Sequence, residues 1–350
     1  MVVGPFHGSP TMVLQRSVYC GGSTGVKAIV QDAYGDSDAL SLRDVADPTP
    51  KDAEVLVAVR AAALHIGDLM LVRGEPYVMR LGTGLRGPKK NIPGFDFAGV
   101  VRSVGADVSG VASGDEVFGE ANGGSCAESV VVTAEKMAAK PAALTFEEAA
   151  AVPVSGCTAL RGIRDAGKVG TGYRVLINGA SGGVGVYAIQ IAKSLGAEVT
   201  AVCGPGNVGL ARELGADHVI DYTQVDYTQG EARYDLVLDN VANRSLVDAR
   251  RVVAAGGSYI SNSARSEGRW FGAVGRMLYS GVLSMFVRKQ GRPFYSPVRR
   301  KDLVDLTELI DGGKLRPVID RTYPLAETPT AVDYIAGGHA SGKTIITIAE

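Results

Sequence analysis

The sequence predicts an α/β protein with two domains, one a compact β unit and the other a doubly wound parallel sheet. Between Lys27 and about Lys140, short alternating or apolar runs are broken by Gly, Pro and Asp, which is typical of a small all-β unit. Strand and helix patterns then alternate, which predicts a parallel sheet with right-handed crossovers and helices on both faces. The chain ends in the apolar run KTIITI at 343–348. We expect this run to rejoin the first domain, so that the second domain is an insertion.

The domain boundaries are placed where this rhythm changes. The β unit takes residues 27–140 and 312–350, and the doubly wound unit takes 141–311. Just after the first boundary, Thr145 and Glu148 form a T-x-x-E capping box that starts a helix. The second unit is expected to hold strands at RVLIN, EVTAVC, HVIDY, YDLVLDN and GSYISN, and helices that begin near Gly185, Asn207, Arg244 and Phe271.

Residues 1–26 are predicted to be a flexible leader outside the folded domains. They lack the basic start and uninterrupted apolar segment of a secretory signal. Two origins stay open for them, a native extension and a translation-start artefact. The most apolar later stretch, VGRMLYSGVLSMFV at 274–287, is too short to span a bilayer and contains Arg276. We interpret it as a core or pocket-wall helix.

Composition and charge narrow the classes of function. The 350 residues are 46% apolar and 21% charged, which is the profile of a globular protein of the cytoplasm with sizeable cores. Lys and Arg total 36 against 37 Asp and Glu, and no basic run could follow a phosphate backbone. Nucleic acid and membrane are therefore excluded as expected partners. The cysteines stand too far apart for a disulfide framework or a zinc knuckle, at Cys20, Cys126, Cys157 and Cys203.

A glycine-rich turn, NGASGGVG at 178–185, lies between a strand pattern and a helix pattern. Against the dinucleotide fingerprint G-x-G-x-x-G it reads Ala180, Gly182 and Gly185, with alanine in the first position. Gly182 lets the backbone approach a pyrophosphate, and Gly185 lets the helix pack closely against the strand. The helix N-terminus offers free N–H groups to the phosphates. In a β-α-β setting this pattern predicts a dinucleotide site.

The strand after this turn bears on which dinucleotide is bound. An acid near its end would accept hydrogen bonds from a ribose 2′-hydroxyl and repel a 2′-phosphate. This strand ends VCGPGN, so neither a carboxylate nor a Lys or Arg stands between Cys203 and Asn207. Tyr222 and Asn207 are the side chains that we expect near the adenosine ribose. NADP(H) is therefore favoured, and NAD(H) stays open.

Further motifs follow one another in a fixed order: KAIVQDAYG, IPGFDFAGVVRSVG, GDEVFG, CAESVVV, AAAVPVSGCTAL, the glycine turn, LGADHVIDY and LRPVIDRTYPL. Together they strongly resemble the medium-chain dehydrogenase/reductase superfamily, in particular its zinc-free, quinone-oxidoreductase-like branch. The resemblance runs from about Lys27 to the C-terminus. It implies a GroES-like β-barrel catalytic domain built from both ends of the chain, with a Rossmann nucleotide-binding domain inserted between them. It also implies a homodimer, since related enzymes are often dimers.

The resemblance bears on zinc as well, because catalytic zinc needs three His, Cys or carboxylate ligands plus an open position. Zinc-using relatives carry a cysteine where this chain has AAAL at 61–64, a G-H-E at 94–96, and a cysteine near Val154. The four cysteines of their structural zinc lobe are also missing from this sequence. Asp96 and His65 together would make a poor site. No metal is therefore predicted.

Without zinc, hydride transfer depends on the position of the cofactor and on a donor for the charge that develops on the acceptor. Relatives of this branch often carry Asn where this chain has His65, in AALHIGD. An imidazole with an unperturbed pKa of about 6.5 can donate a hydrogen bond, or a proton near neutral pH. Some enoyl reductases of the superfamily use a tyrosine from the region of Tyr77. His65 and Tyr77 are thus the candidate catalytic residues, against a purely structural role for each. Asp68 and Asp115 are interpreted as capping residues.

The sequence therefore predicts an NAD(P)H-dependent oxidoreductase that reduces quinones or the activated C=C bonds of α,β-unsaturated carbonyls. Two alternatives stay open, a zinc-free alcohol or ketone oxidoreductase and a non-catalytic NADPH-binding regulatory module. In each case the ligand is a small molecule. From the turn and the resemblance, the expected cofactor-binding residues are Thr158, Ala180, Ser181, Gly182, Gly183, Val184, Gly185, Gly204, Asn207, Tyr222, Asn240 and Lys343.

Overall fold

A computed structural model describes residues 25–263, 270, 296–338 and 340–349. The strands are β1 (Gly25–Gln31), β2 (Leu40–Ala46), β3 (Glu54–Leu64), β4 (Asp96–Val104), β5 (Glu116–Glu120), β6 (Ser129–Thr133), β7 (Met137–Ala139), β8 (Arg174–Asn178), β9 (Glu198–Cys203), β10 (His218–Asp221), β11 (Tyr234–Asp239), β12 (Val253–Ser261), β13 (Ile319–Pro324) and β14 (Lys343–Thr347). The α-helices are α1 (Ile66–Arg73), α2 (Arg80–Thr83), α3 (Phe146–Ala150), α4 (Pro153–Leu160), α5 (Gly185–Ser194), α6 (Val208–Glu213), α7 (Leu246–Arg251), α8 (Arg300–Asp311) and α9 (Thr328–Ala336). Short 3₁₀ turns include Tyr77–Met79 and Pro205–Asn207, and a π-helical segment, Arg161–Ala166, continues α4.

The middle of the chain forms a five-stranded sheet in the order β10-β9-β8-β11-β12, with every neighbouring pair parallel. In β8, Val175 and Ile177 pack into one apolar core and Leu176 into another. Alternate residues of a strand point to opposite faces, so both faces of this sheet are covered. Four of the five predicted strand patterns contain one of these strands, and GSYISN overlaps the second half of β12, so the doubly wound parallel sheet is confirmed.

The helices of this unit begin close to where the sequence places them. At the start of α3, Thr145 Oγ1 accepts a hydrogen bond from the Glu148 N–H, and the Glu148 carboxylate accepts one from the Thr145 N–H, so the predicted capping box is present. Helix α5 begins at Gly185, and α6 begins one residue after Asn207. Helix α7 begins two residues after Arg244. The helix expected near Phe271, and the stretch 274–287, lie outside the described residues.

The two ends of the chain build a second, mainly antiparallel sheet in the order β13-β14-β3-β4-β5-β7, with β6 also paired to β3. Strand β14 pairs with β3 in antiparallel register, for example Ile345 with Ala63. The apolar C-terminal run therefore returns to the β unit, as the sequence predicts. Valines of β3 and Phe97 of β4 lie in the apolar core of this unit.

Strand β1 begins at Gly25, inside the predicted leader of residues 1–26. Val26 is buried and stands opposite Val45 in β2, so the antiparallel ladder includes two residues that the sequence reading had placed outside the fold. The pattern did not reveal this, because a single valine after a glycine- and serine-rich run gives no alternation. The remainder of the leader lies outside the described residues.

Candidate active site

A cavity of about 630 Å³ opens between the two sheets, at the carboxyl ends of β8, β9 and β11. In open α/β sheets this edge is where nucleotides bind. Of the predicted cofactor-binding residues, ten line the cavity: Ser181, Gly182, Gly183, Val184, Gly185, Gly204, Asn207, Tyr222, Asn240 and Lys343. Ala180 and Thr158 are buried but are not in its lining. His65 lines the same cavity, and Tyr77 does not.

The glycine turn meets the steric needs of a dinucleotide. A Cβ on Gly185 would stand 2.3 Å from the Gly179 carbonyl oxygen, so only glycine lets α5 start this close to β8. A Cβ on Gly182 would meet a single neighbouring atom, at 3.5 Å, and would otherwise project into open space. That space adjoins the N-terminus of α5, where backbone N–H groups favour an anion. The turn therefore fits a pyrophosphate.

The end of β9 leads into a loop, Gly204 to Asn207, that forms the far side of the cavity. The Tyr222 ring stands over this loop, because a Cβ on Gly204 would lie 3.5 Å from it. The Asn207 side-chain Oδ1 accepts a hydrogen bond of 2.8 Å from Ser341 Oγ. Among the described lining residues, the only Lys or Arg is Lys343, which is buried at the opposite wall.

A buried polar network closes the floor of the cavity between β8 and β11. Asp239 accepts hydrogen bonds from Asn178 Nδ2 at 2.8 Å and from the Tyr259 hydroxyl at 2.6 Å. Asn240 Oδ1 accepts one from Asn262 Nδ2 at 3.0 Å, whereas the buried Asn240 Nδ2 has no partner among the described residues. A buried donor without an acceptor is unfavourable unless a ligand supplies one. Sequence reasoning missed Asn178 and Asn262, although both directly follow apolar strand patterns.

His65 caps the N-terminus of α1, and the residue is part of the cavity lining. Its Nδ1 accepts a hydrogen bond of 2.9 Å from the Gly67 N–H, so the proton of the neutral ring resides on Nε2. Nε2 is buried and has no partner among the residues that the structure describes. The ring stacks on Phe95, with centroids 5.6 Å apart. His65 therefore offers an unused N–H donor at the cavity wall.

The protonation state of His65 differs from the sequence expectation. Burial, with a smaller contribution from the Lys343 ammonium, lowers its pKa to about 3. The ring is therefore neutral near pH 7 and acts as a hydrogen-bond donor, not as an acid that titrates near 6.5. The sequence could not reveal this, because the burial of the ring arises from segments far apart in the chain.

Asp68 helps to hold His65 at the N-terminus of α1. Its Oδ2 accepts the His65 N–H at 2.8 Å, which completes the capping box of α1 and confirms the capping interpretation. Burial raises the pKa of Asp68 to about 7 against the opposing effect of that hydrogen bond. Asp115 also caps a turn, since its Oδ2 accepts the Ala112 N–H at 2.8 Å.

Tyr77 begins a 3₁₀ turn on the segment after α1. The Arg80 guanidinium lies over its ring at 4.5 Å, and over the ring of Tyr34 at the same distance. Trp270 meets Tyr77 edge-on, with centroids 5.5 Å apart. The structure therefore does not bring Tyr77 into the lining that His65 shares with the glycine turn.

Lys343 is fully buried, and its ammonium lies 2.9 Å from Asp96 Oδ2 and 3.2 Å from Ser155 Oγ. The other carboxylate oxygen, Asp96 Oδ1, accepts the Val154 N–H at 2.9 Å. Burial raises the pKa of Asp96 to about 6, although the nearby ammonium opposes this shift. The carboxylate is thus ionised at neutral pH and paired with the lysine.

The same contacts show which groups occupy the positions of the expected zinc ligands. Two of the places where zinc-using relatives are expected to carry ligands, Asp96 and Val154, meet here: Asp96 accepts the Val154 N–H through one oxygen and the Lys343 ammonium through the other. Within the described residues, no three His, Cys, Asp or Glu side chains converge in a way that could hold a metal ion. The side chains present at this point fit a lysine and do not fit zinc.

Comparisons with known proteins agree with this architecture. Residues 51–162 match the family model described as alcohol dehydrogenase GroES-like domain, and residues 214–346 match the one described as zinc-binding dehydrogenase. A 2-methylene-furan-3-one reductase of Solanum lycopersicum is 33% identical over 337 residues, which cover 92% of this chain and 79% of the relative. A mitochondrial NAD(P)H oxidoreductase of Mus musculus is 31% identical and covers 93% of this chain, with 90% of its own length matched.

The solved structure of the quinone oxidoreductase from Coxiella burnetii superimposes with a TM-score of 0.81 at 27% identity. The match covers 93% of this chain and 99% of the other. Fold, turn and sequence similarity thus agree along nearly the whole chain. The chain belongs to the medium-chain dehydrogenase/reductase superfamily, in its zinc-free, quinone-oxidoreductase-like branch, and is an oxidoreductase with a GroES-like domain and a Rossmann domain.

Proposed function

We propose that this protein uses a reduced nicotinamide dinucleotide, favouring NADPH, to reduce quinones or the activated C=C bonds of α,β-unsaturated carbonyls. One observation carries the proposal. The cavity that holds the glycine turn also holds a neutral imidazole whose buried Nε2 donor has no partner among the described residues. Such a donor suits an acceptor oxygen that becomes negative during reduction. The names of the tomato reductase and the Coxiella burnetii oxidoreductase support the same two acceptor classes.

The residues fit a dinucleotide from one end of the cavity to the other. Gly182 leaves room for the pyrophosphate at the start of α5, and Asn240 Nδ2 is a buried donor in need of an acceptor. Asn207 and Tyr222 flank the position of the adenosine ribose. When bound, the nicotinamide supplies the hydride. His65 Nε2 donates a hydrogen bond to the acceptor oxygen, and Phe95 holds the imidazole in place by stacking.

The preference for NADPH is supported by the absence of a carboxylate from the loop after β9. We propose to test it with Gly204→Asp, which the backbone tolerates because φ is −78° and the nearest ring atom is an ordinary contact away. The new carboxylate is expected to shift the ratio of the NADPH and NADH dissociation constants at least tenfold toward NADH. An unchanged ratio contradicts the assignment of this loop to the 2′-position.

The division into 27–140 plus 312–350 and 141–311 is supported by the pairing of β14 with β3. A homodimer is supported by the family relationship, and sedimentation equilibrium tests it. Among the described residues, no helix is long and apolar enough to cross a membrane. A cytoplasmic location is supported by the sequence composition. Because some relatives are named as mitochondrial or chloroplastic, the location should be tested by imaging the tagged native protein.

The deciding experiment is oxidation of NADPH and NADH against naphthoquinones, enones, enals and simple ketones, with and without a chelator. Turnover of enones or quinones that a chelator does not affect is expected. Activity on ketones and alcohols alone would instead favour the zinc-free alcohol or ketone oxidoreductase. Tight NADPH binding without turnover of any acceptor would favour the binding module.

A further inference from the structure

The reduction proposed above needs a proton as well as a hydride, and the two candidate residues do not supply it. His65 is neutral, with its pKa lowered to about 3, so loss of its Nε2 proton would leave an unfavourable anion. Tyr77 is outside the cavity lining. Tyr222 and Cys203 line the far side, by the loop after β9, away from His65. The lining thus leaves one charged donor near His65, the buried Lys343.

Lys343 is connected to the cavity by its hydrogen bond to Ser155. The Lys343 ammonium donates to Ser155 Oγ at 3.2 Å, so this oxygen is an acceptor and its own hydroxyl proton points elsewhere. No acceptor for that proton lies within hydrogen-bond distance among the residues that the structure describes, and Ser155 is part of the cavity lining. Ser155 is therefore a donor toward the cavity, connected to a buried cation.

Ser155 lies beside the glycine turn and lines the same cavity as His65. A Cβ on Gly183 would lie 3.3 Å from Ser155 Oγ and 3.2 Å from Lys343 Cδ. The serine hydroxyl and the lysine side chain thus pack directly against Gly183 of the turn. Behind the lysine, Asp96 fixes the ammonium at 2.9 Å and is itself fixed by the Val154 N–H.

We propose that Ser155, Lys343 and Asp96 form a buried proton relay that delivers the proton required after hydride transfer. This inference rests on the proposed function. The acceptor gains a hydride, with its two electrons, at the β-carbon, and its π electrons move to give an enolate. The α-carbon then takes the Ser155 hydroxyl proton as the O–H bond breaks, and Ser155 Oγ takes a proton from Lys343 Nζ. Water returns a proton to the lysine amine after product release. Asp96 is a positioning residue that holds the ammonium against Ser155.

The first experiment compares wild type, Ser155→Ala and the control Ser296→Ala, whose hydroxyl bonds to the Cys157 carbonyl of the same helix, α4. The probe is 2-methylcyclohex-2-enone with NADPH. Ser155→Ala is expected to lower kcat about 100-fold, the size of a general-acid contribution, with the NADPH dissociation constant changed less than about threefold. The configuration at the α-carbon of the product is expected to become mixed, because solvent then protonates the enolate. If Ser155 has only a structural role, Ser155→Ala should not change that configuration.

The second experiment needs neither cofactor nor turnover. Ser155→Cys places a thiol at the position of Ser155 Oγ, which lies 3.2 Å from Lys343 Nζ. The pKa of this thiol is expected to fall below the usual value of about 8.5. The pH dependence of its alkylation by iodoacetamide measures this, with wild type as the background. Burial raises the pKa of the described native thiols Cys126, Cys157 and Cys203, which keeps that background low. Adding Lys343→Met to Ser155→Cys is expected to restore an ordinary thiol.

The outcomes separate the relay from the function on which it rests. Full activity and unchanged product configuration in Ser155→Ala, beside an active wild type, would overturn the relay alone. An ordinary pKa for the introduced thiol would also overturn it. Failure of the wild type to reduce every enone and quinone would overturn the proposed function, and the relay with it.

Discussion

Lys343 and Asp96 stand 247 positions apart in the sequence and form a buried ion pair, with 2.9 Å between Nζ and Oδ2. Both side chains are essentially inaccessible to solvent. The pair joins β14 to β4, and through the Val154 N–H it joins both to the start of α4. One contact thus connects the returning C-terminal strand, the β unit and a helix of the doubly wound unit, directly behind the cavity wall.

Removal of one partner of this pair is expected to destabilise the protein strongly, because it leaves an uncompensated buried charge. Lys343→Met and Asp96→Asn should each lower the free energy of unfolding by about 3–5 kcal/mol in urea denaturation, and the double variant by less than their sum. The exposed pair of Lys27 and Asp44 is the control, for which Lys27→Met should cost at most about 1 kcal/mol. Additive losses in the double variant would show that the two residues do not act as a pair.

The hydrogen-bond role of His65 predicts different results for two substitutions. His65→Asn keeps both an amide donor and a good N-cap, so kcat should stay within about tenfold of wild type. His65→Ala removes the donor and should lower kcat by about 10²–10³-fold, as loss of an oxyanion donor does. Because the ring is neutral above its pKa of about 3, His65→Asn should leave the pH profile of kcat between 5 and 9 unchanged. An inflection near 6.5 that disappears in His65→Asn would contradict this role.

Two glycines of the turn are expected to respond differently to alanine. In Gly185→Ala the methyl group would meet the Gly179 carbonyl at 2.3 Å, so the start of α5 must shift and stability should fall by a few kcal/mol. In Gly182→Ala the methyl group enters open space. The protein should fold normally but bind NADPH at least tenfold more weakly in fluorescence titration. Gly209→Ala in α6, with nothing within 4 Å, is the matched control and should change neither property.

Asp68 is expected to make stability depend on pH with a defined sign. In the unfolded chain its carboxyl ionises near pH 4, whereas in the fold burial keeps the proton bound up to about pH 7. The folded state therefore binds more protons between these values, and this contribution to stability is lost as pH rises. Asp68→Asn should remove it, so the variant should gain roughly 1–3 kcal/mol relative to wild type between pH 5 and pH 8 in urea denaturation. Equal pH dependence in the two proteins would contradict the raised pKa.

Tyr77 gives a simpler prediction. Its ring packs between Arg80 and Trp270, and it lies outside the cavity lining. Tyr77→Phe keeps the ring and removes only the hydroxyl, so kcat with enones and quinones should change less than about threefold. A loss of about 100-fold with unchanged cofactor affinity would instead make Tyr77 the proton donor.

The sequence by itself determined the fold class, the order of strands and helices and the glycine turn. These depend on local patterns, such as the apolar run of β8 followed by small residues and the capping box of Thr145 and Glu148. It also determined that the usual zinc ligands are missing, because this depends only on which residue types are present.

Only the tertiary structure decided how the site residues act. His65 stays neutral because the fold buries its ring, with Phe95 stacked on it and the Lys343 ammonium nearby. Lys343 in turn is held by Asp96 and Ser155, which are distant in sequence. A pKa depends on solvent exclusion and on nearby charges, and both arise from long-range packing. Ser155 carries no signal of its own in AAAVPVSGCTAL, because a serine in a helix becomes a donor to the cavity only when a lysine from the other end of the chain occupies its lone pair.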